Sequence, residues 1–275
     1  MFIKTNKKLY DLTKRTHIMG ILNVTPDSFS DGGLYSTKEK ALEEALKMEA
    51  DGADIIDVGG ESTRPSHDKV SEKEEIERVI PIIEKLSKVL SIPISIDTYK
   101  SETARLAIEA GADIINDVWG AKKDPQIAKV AAEYNVPIVL MHNRNNKNYT
   151  NLIEDMISDL NESINIATEA GVMKENIILD PGVGFAKTMA DNYEVLKHLN
   201  EFVKMDYPVL LGTSRKSFIN EILPTEPSER DNATGATTCL GITQGVKLHR
   251  VHDVKRNVEL AKMMDAMLEG GQALG

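Results

Sequence analysis

One pattern constrains this chain more than any other: a short apolar run followed by an amphipathic stretch, repeated eight times. Runs rich in β-branched residues fall at Ile18–Leu22, Ile55–Val58, Ile94–Ile96, Ile114–Ile115, Ile138–Leu140, Ile177–Leu179, Val209–Leu211 and Leu248–Val251. They are mostly apolar, as parallel strands covered on both faces must be. Helical patterns follow at Lys38–Ala50, Glu72–Val89, Glu102–Ala110, Pro125–Tyr134, Leu152–Ala170, Tyr193–Leu199, Thr237–Gly245 and Val254–Leu268. Within the second of these, Ile76, Val79, Ile80, Ile83 and Leu86 recur at helical spacing. Gly52, Gly111 and Gly171 each follow a helix and precede a strand, where helices commonly stop. Eight β-then-α units predict a single-domain α/β (β/α)₈ TIM barrel over residues 17–275 rather than an open doubly wound sheet. Met1–Thr16 is expected to be a short N-terminal extension across the barrel bottom.

The 275 residues suit one such barrel. A net charge of −10 argues against a nucleic-acid or membrane-surface binder, so an anionic substrate needs a local basic site. The lone Cys239 excludes an internal disulfide and a cysteine-rich metal site, and suits a reducing compartment. The start lacks a signal-peptide core and no apolar run is long enough to span a bilayer. These features predict a cytoplasmic protein.

Polar residues sit where the apolar runs end: Asn23, Asp57, Asp97, Asn116, His142, Asp180, Ser214 and His252. Singly, such residues often tie down loops. Eight of them at one barrel mouth predict a polar cavity, where barrel active sites are built. The longest irregular stretches are Thr25–Ser36, Gly60–Val70, His142–Asn151, Pro181–Asn192 and Arg215–Asn232. In the first, Phe29 stands between the Thr25–Pro26–Asp27 turn and Gly32–Gly33; it reads either as rim packing or as part of a lid. In the second, Arg64 precedes Pro65 and is either solvated or held toward a ligand. The segment Gly212–Phe218 places the paired cations Arg215 and Lys216 after small residues, a good arrangement for an oxyanion. In the last strand, Arg250 and His252 share a face, which points to the barrel axis if Val251 faces out. Two such donors on an inner face predict an anion between them.

Together GILNVTPDSFSDGG (Gly20–Gly33), GGESTRP (Gly59–Pro65), LDPGVGFAKT (Leu179–Thr188), GTSRKSF (Gly212–Phe218) and RVHD (Arg250–Asp253) resemble the dihydropteroate synthases. The likeness runs from about Met19 to Met267 without departure inside the motifs. It implies a transferase of folate biosynthesis that condenses hydroxymethyl-dihydropterin pyrophosphate with para-aminobenzoate, releasing pyrophosphate. It also implies a homodimer, a sulfonamide target and Mg²⁺ as cofactor.

Carried onto this chain, the resemblance gives the pterin to Asp180, with Asn116 and Asp97 beside it and Lys216 on the pterin carbonyl. A carboxylate accepts two parallel bonds from the pyrimidine edge, and an amide both donates and accepts. Met141 and Phe185 would pack the ring faces, although Met141 reads almost equally as core. Pyrophosphate falls to Asn23, Arg250 and His252, with Mg²⁺ shared between Asn23 and phosphate oxygens. Para-aminobenzoate falls to Phe29, Pro65 and Ser217, with Thr63 and Arg64 organising the second loop. The expected mechanism is dissociative, with Asp31, Lys216 and Asn23 as catalytic residues and Asp31 stabilising a pterin-methylene cation. Two rivals stand beside this reading. A pterin-binding methyltransferase module would want Asp97, Asn116 and Asp180 but not Arg250, His252 or GTSRKSF. A catalytically silent paralogue would bind pterin or a partner protein without turnover.

Overall fold

The apolar runs form strands because their residues are buried on both faces, against the barrel interior on one side and helices on the other. The computed structural model describes residues 1–24, 34–61 and 70–268. Its large sheet is made of β3 (His17–Asn23), β4 (Ile55–Gly59), β5 (Ile94–Asp97), β6 (Ile114–Asp117), β7 (Ile138–Met141), β8 (Ile177–Asp180), β9 (Leu210–Gly212) and β10 (Leu248–Val251). Every hydrogen-bonded pair in it is parallel, in the order β8-β7-β6-β5-β4-β3-β10-β9. A parallel bridge from Leu179 to Val209 joins the two ends and closes the barrel.

The helices are α1 (Leu34–Ala50), α2 (Glu72–Val89), α3 (Ser101–Glu109), α4 (Gln126–Tyr134), α5 (Leu152–Glu169), α6 (Met189–Lys197), α7 (Leu199–Val203), α8 (Ser217–Ile222), α9 (Asp231–Thr243) and α10 (Val254–Leu268). The apolar residues read from the sequence of α2 divide as its face requires: Val79, Ile83 and Leu86 are buried. Two regions depart most from the periodicity. The sixth helix begins at Met189 and is followed by a separate α7, because Thr188 and Asp191 form a capping box ahead of the apolar residues. The expected loop Arg215–Asn232 contains α8 and the start of α9. Polar residues and two prolines mask the helical pattern there.

Residues two apart on each strand share a face, and the inner faces form layers. The lower layer is apolar: Met19, Ile55, Ile114, Val139, Ile178, Leu210 and Leu248 pack as one cluster. Its lower side is covered by β1 (Phe2–Lys4) and β2 (Leu9–Asp11), an antiparallel pair that adds Ile3, Tyr10 and Leu12 to the same cluster. Tyr10 Oη donates to the Asp54 carbonyl at 2.6 Å, which fixes this hairpin to the chain entering β4. The outer strand faces pack against the helices in a second, larger core.

Candidate active site

One period above the apolar layer, the inner faces become polar. Asp57, Asp97, Asn116, Asp180 and Arg250 each lie two residues beyond a member of that layer or of its strand's inner register. Arg250 Nε donates to Asp57 Oδ2 at 2.5 Å, and its Nη2 donates to Asp97 Oδ2 at 2.6 Å. Asn116 Nδ2 donates to the same Asp57 oxygen at 3.0 Å. The sequence pointed to an anion at Arg250 without foreseeing Asp57 and Asp97; the half-buried guanidinium meets both carboxylates and also lines the cavity above them. Asp57, which the sequence singled out without a role, is the hub of this network and is completely buried. Burial pushes the Asp97 carboxyl up, to about 7; Arg250 opposes this and Asp57 adds to it.

Above this network opens a cavity of about 410 Å³ lined by Asn23, Phe185, Gly212, Lys216, Arg250 and His252, among others. Lys216 reaches in from the chain after β9. Its Nζ donates to the Val183 carbonyl and lies 4.6 Å from the centre of the Phe185 ring. Burial lowers its pKa to about 8, against the pull of the Asp180 carboxylate. Asp180 is held at the end of β8 by the backbone N–H of Gly182, which donates to Oδ1 at 2.7 Å. Burial raises its pKa, and Lys216 opposes the rise. Gly212 lies between them: a Cβ there would stand 3.7 Å from Asp180 Oδ2 and 4.0 Å from Lys216 Nζ. The missing side chain leaves open space beside the acid and the lysine at the cavity wall.

Asn23, Arg250 and His252 also line the cavity. Val251 is buried in the outer core, so Arg250 and His252 do face inward. His252 Nδ1 is 2.8 Å from Ser214 Oγ, which fixes the ring. The paired cations read together in the sequence are separated. Arg215 Nε and Nη2 both bond Asp231 at 2.7 Å, whereas Lys216 turns toward Asp180. A cation the sequence did not single out, Arg230, also lines the cavity. Its partners are the Thr225 and Arg215 carbonyls and the Asn220 amide oxygen, all neutral. Its signal was weak: one arginine in a polar stretch that read as loop. Asn116, Asp97, Asp180 and Met141 are buried at the ends of neighbouring strands, and Ser217 lies at the cavity with Lys216. Phe29, Asp31, Thr63, Arg64 and Pro65 lie outside the described residues.

Among the described residues no three His, Cys, Asp or Glu side chains gather to hold a metal. Asn23 offers one hard amide oxygen at the cavity, a fitting single ligand for an ion whose remaining shell is phosphate oxygen and water. Among the described residues, no helix is long and apolar enough to cross a membrane.

Lys216, Arg230 and Arg250 line one cavity at the C-terminal ends of the strands, with the Asp57, Asp97 and Asp180 carboxyls beside it, where (β/α)₈ enzymes build their active sites. The model of the pterin-binding enzyme family matches residues 19–252. A dihydropteroate synthase of Bacillus subtilis (strain 168) is 59% identical over 269 residues, spanning 98% of this chain and 94% of that protein. The crystal structure of dihydropteroate synthase from Clostridium difficile in the presence of pteroic acid superposes with a TM-score of 0.92 at 52% identity, over 94% of this chain and 98% of that one. The Xanthomonas albilineans dihydropteroate synthase with 4-aminobenzoic acid gives a TM-score of 0.92 at 40% identity, over 97% and 98%. The chain belongs to the pterin-binding enzymes and, within them, to the dihydropteroate synthases, transferases of folate biosynthesis.

Proposed function

We propose that the chain joins hydroxymethyl-dihydropterin pyrophosphate to para-aminobenzoate by a dissociative path, with the pterin at the Asp180–Lys216 end of the cavity and pyrophosphate at the Arg250–His252 end. The carrying observation is that Asp180, Lys216 and Arg250 all border the bare Gly212 backbone at a cavity that Asn23 and His252 also line. The pterin edge would donate to Asp180 with Asn116 and Asp97 close by, the pterin carbonyl would accept from Lys216, and Met141 and Phe185 would pack the ring. Asn23, Arg250 and His252 would receive the leaving pyrophosphate, and Mg²⁺, when bound through Asn23, would neutralise part of its charge.

The methylene C–O bond breaks with its electron pair leaving on pyrophosphate. The resulting cation is delocalised over the pterin and stabilised by Asp31. The arylamine nitrogen then forms the new C–N bond and gives up a proton to solvent. A neutral arylamine is already nucleophilic, so a strong general base is not required. Phe29, Pro65 and Ser217 would hold para-aminobenzoate, with Thr63 and Arg64 ordering their loop. Homodimer formation is supported by Leu240 of α9 and by Met263 and Met267 of α10, which remain exposed while Val258 packs on the barrel.

Turnover is tested by mixing the chain with both substrates and Mg²⁺ and measuring pyrophosphate and dihydropteroate. Absence of product would overturn the enzyme reading. The path is tested by placing ¹⁸O in the bridging position of the pterin pyrophosphate and withholding para-aminobenzoate. Reversible C–O cleavage should scramble the label into non-bridging positions; retention of the label through many turnover times would refute the dissociative path.

A further inference from the structure

The loop after β8 supplies Phe185 and the Val183 carbonyl to the cavity, so its shape sets both an aromatic wall and the seat of Lys216. Behind it lies Lys187, 4% exposed and outside the mechanism above. Its Nζ is 2.9 Å from the Gly182 carbonyl, 3.0 Å from the Phe185 carbonyl and 3.0 Å from His142 Nδ1. An ammonium has three N–H bonds, and three acceptors meet them here. The His142 tautomer follows from its other nitrogen: Nε2 lies 2.9 Å from Asp159 Oδ2, so it donates there and leaves Nδ1 as the acceptor. Arg144 in turn holds Asp159. The backbone that Lys187 gathers is tightly constrained. Gly182 has φ +63°, and a Cβ on it would stand 2.1 Å from the His142 carbonyl oxygen.

We propose that Lys187 is a positioning residue for the pterin subsite: its ammonium, aimed by the His142–Asp159 pair, ties the Gly182 and Phe185 carbonyls together and so sets the loop that carries Phe185 and seats Lys216. This rests on the placement of the pterin given above. The protonation state of the imidazole agrees with the geometry. Burial, with Lys187 adding to it, lowers the His142 imidazole to about 3, which keeps it neutral and accepting. Burial lowers Lys187 itself to about 7, against the favourable charges of Asp180, Asp191 and Asp159 and with Lys216 adding to the fall.

The test compares K187M and D159N with the parent and with D180N. The readouts are calorimetric binding of 6-hydroxymethylpterin, steady-state kinetics and thermal unfolding. K187M should weaken pterin binding about tenfold or more and raise the KM for the pterin pyrophosphate in proportion, with kcat changed less than about threefold. D159N acts one bond further away, at a partly exposed residue, and should give the same change at about threefold. A fall in melting temperature with pterin affinity within about twofold of the parent in both variants would make Lys187 merely structural and overturn the proposal. If K187M does not fold, D159N decides alone by the same criterion. D180N separates the two levels of inference. Weak pterin binding in D180N beside parental binding in K187M and D159N refutes the positioning role, whereas parental binding in D180N refutes the pterin placement itself.

Discussion

Arg250 Nη2 donates to Asp97 Oδ2 at 2.6 Å, joining β10 to β5 across the barrel mouth over 153 residues of sequence. With Asp57 on its Nε, this guanidinium is the only cation in an ion pair with either carboxylate among the described residues. Removing it strands two buried acids. R250A should therefore destabilise the fold by about 3–5 kcal/mol, the usual cost of breaking a buried ion pair from one side. The loss should be smaller at pH 5 than at pH 9. Asp97 already has a folded pKa near 7, so at pH 5 it takes up a proton more readily than its unfolded counterpart and the stranded charge is relieved. Urea unfolding at both pH values measures this; a loss below about 1 kcal/mol at pH 9 would mean that the triad contributes no more than a surface pair.

Gly212 and Asp180 separate folding from binding. G212A adds a methyl group with 3.7 Å to its nearest neighbour and no unfavourable φ, so the melting temperature should stay near the parent's. That methyl would occupy the space between Asp180 and Lys216, and pterin affinity should fall. D180N keeps an oxygen for the Gly182 N–H but places donors against a donor edge. It should lose about 3–5 kcal/mol of pterin binding. Calorimetry on the two variants tests the placement, and undiminished pterin affinity in both would move the pterin elsewhere.

The layer in which these residues stand was legible in the sequence because it obeys a period of two. Asp97, Asn116, Asp180 and Arg250 each end an apolar run, and alternation alone turns them inward. Their partners were not legible. Nothing local says that Arg250 meets Asp57 across 193 residues, or that Arg215 is taken by Asp231 while Lys216 is turned away. A cation turned toward the barrel axis demands a counter-charge, and the sequence does not say that Asp57 and Asp97 supply one. Lys187 was hidden similarly, since its three acceptors are two carbonyls and a ring nitrogen, none of which has a compositional signature. The hairpin β1–β2 was invisible because strands of three residues are too short to show a period.

Phe29 belongs to the first loop and lies outside the described residues, so a prediction there rests on the family likeness and on ligand shape. Para-aminobenzoate and a sulfonamide share an arylamine ring, but the drug is tetrahedral at sulfur and carries a further substituent. That overhang should reach loop residues that the substrate does not touch. F29L is expected to raise the sulfonamide inhibition constant about tenfold more than the KM for para-aminobenzoate, an excess of about 1.4 kcal/mol, reasonable for one aromatic contact. Inhibition and substrate kinetics on one preparation compare the two factors. Equal factors would place the overhang elsewhere.

The last prediction concerns acid stability and a histidine remote from the cavity. His249 on β10 faces α9, where a Cβ on Gly241 would stand 2.8 Å from its Cε1, so the imidazole is packed without room to move. It is 1% exposed, and its Nε2 has no partner among the described residues. Burial lowers its pKa to about 4 from the ordinary 6.5. Above pH 6.5 the ring is neutral in both folded and unfolded chains and contributes no pH dependence. As the pH falls from 6.5 toward 4, the unfolded chain takes up a proton that the folded one refuses, and stability is lost; below 4 both are protonated and the loss levels off. At 1.36 kcal/mol per unit this amounts to about 3 kcal/mol. H249L removes the titration and the unpaired nitrogen while keeping an apolar side chain against Leu211 and α9. Its stability at pH 7.5 should stay within about 1.5 kcal/mol of the parent's. Between pH 6.5 and 4.5 it should lose less than the parent, so that the two unfolding curves converge or cross. Urea titrations at pH 7.5, 6 and 4.5 measure that slope, and parallel slopes would show that His249 takes up its proton as readily folded as unfolded.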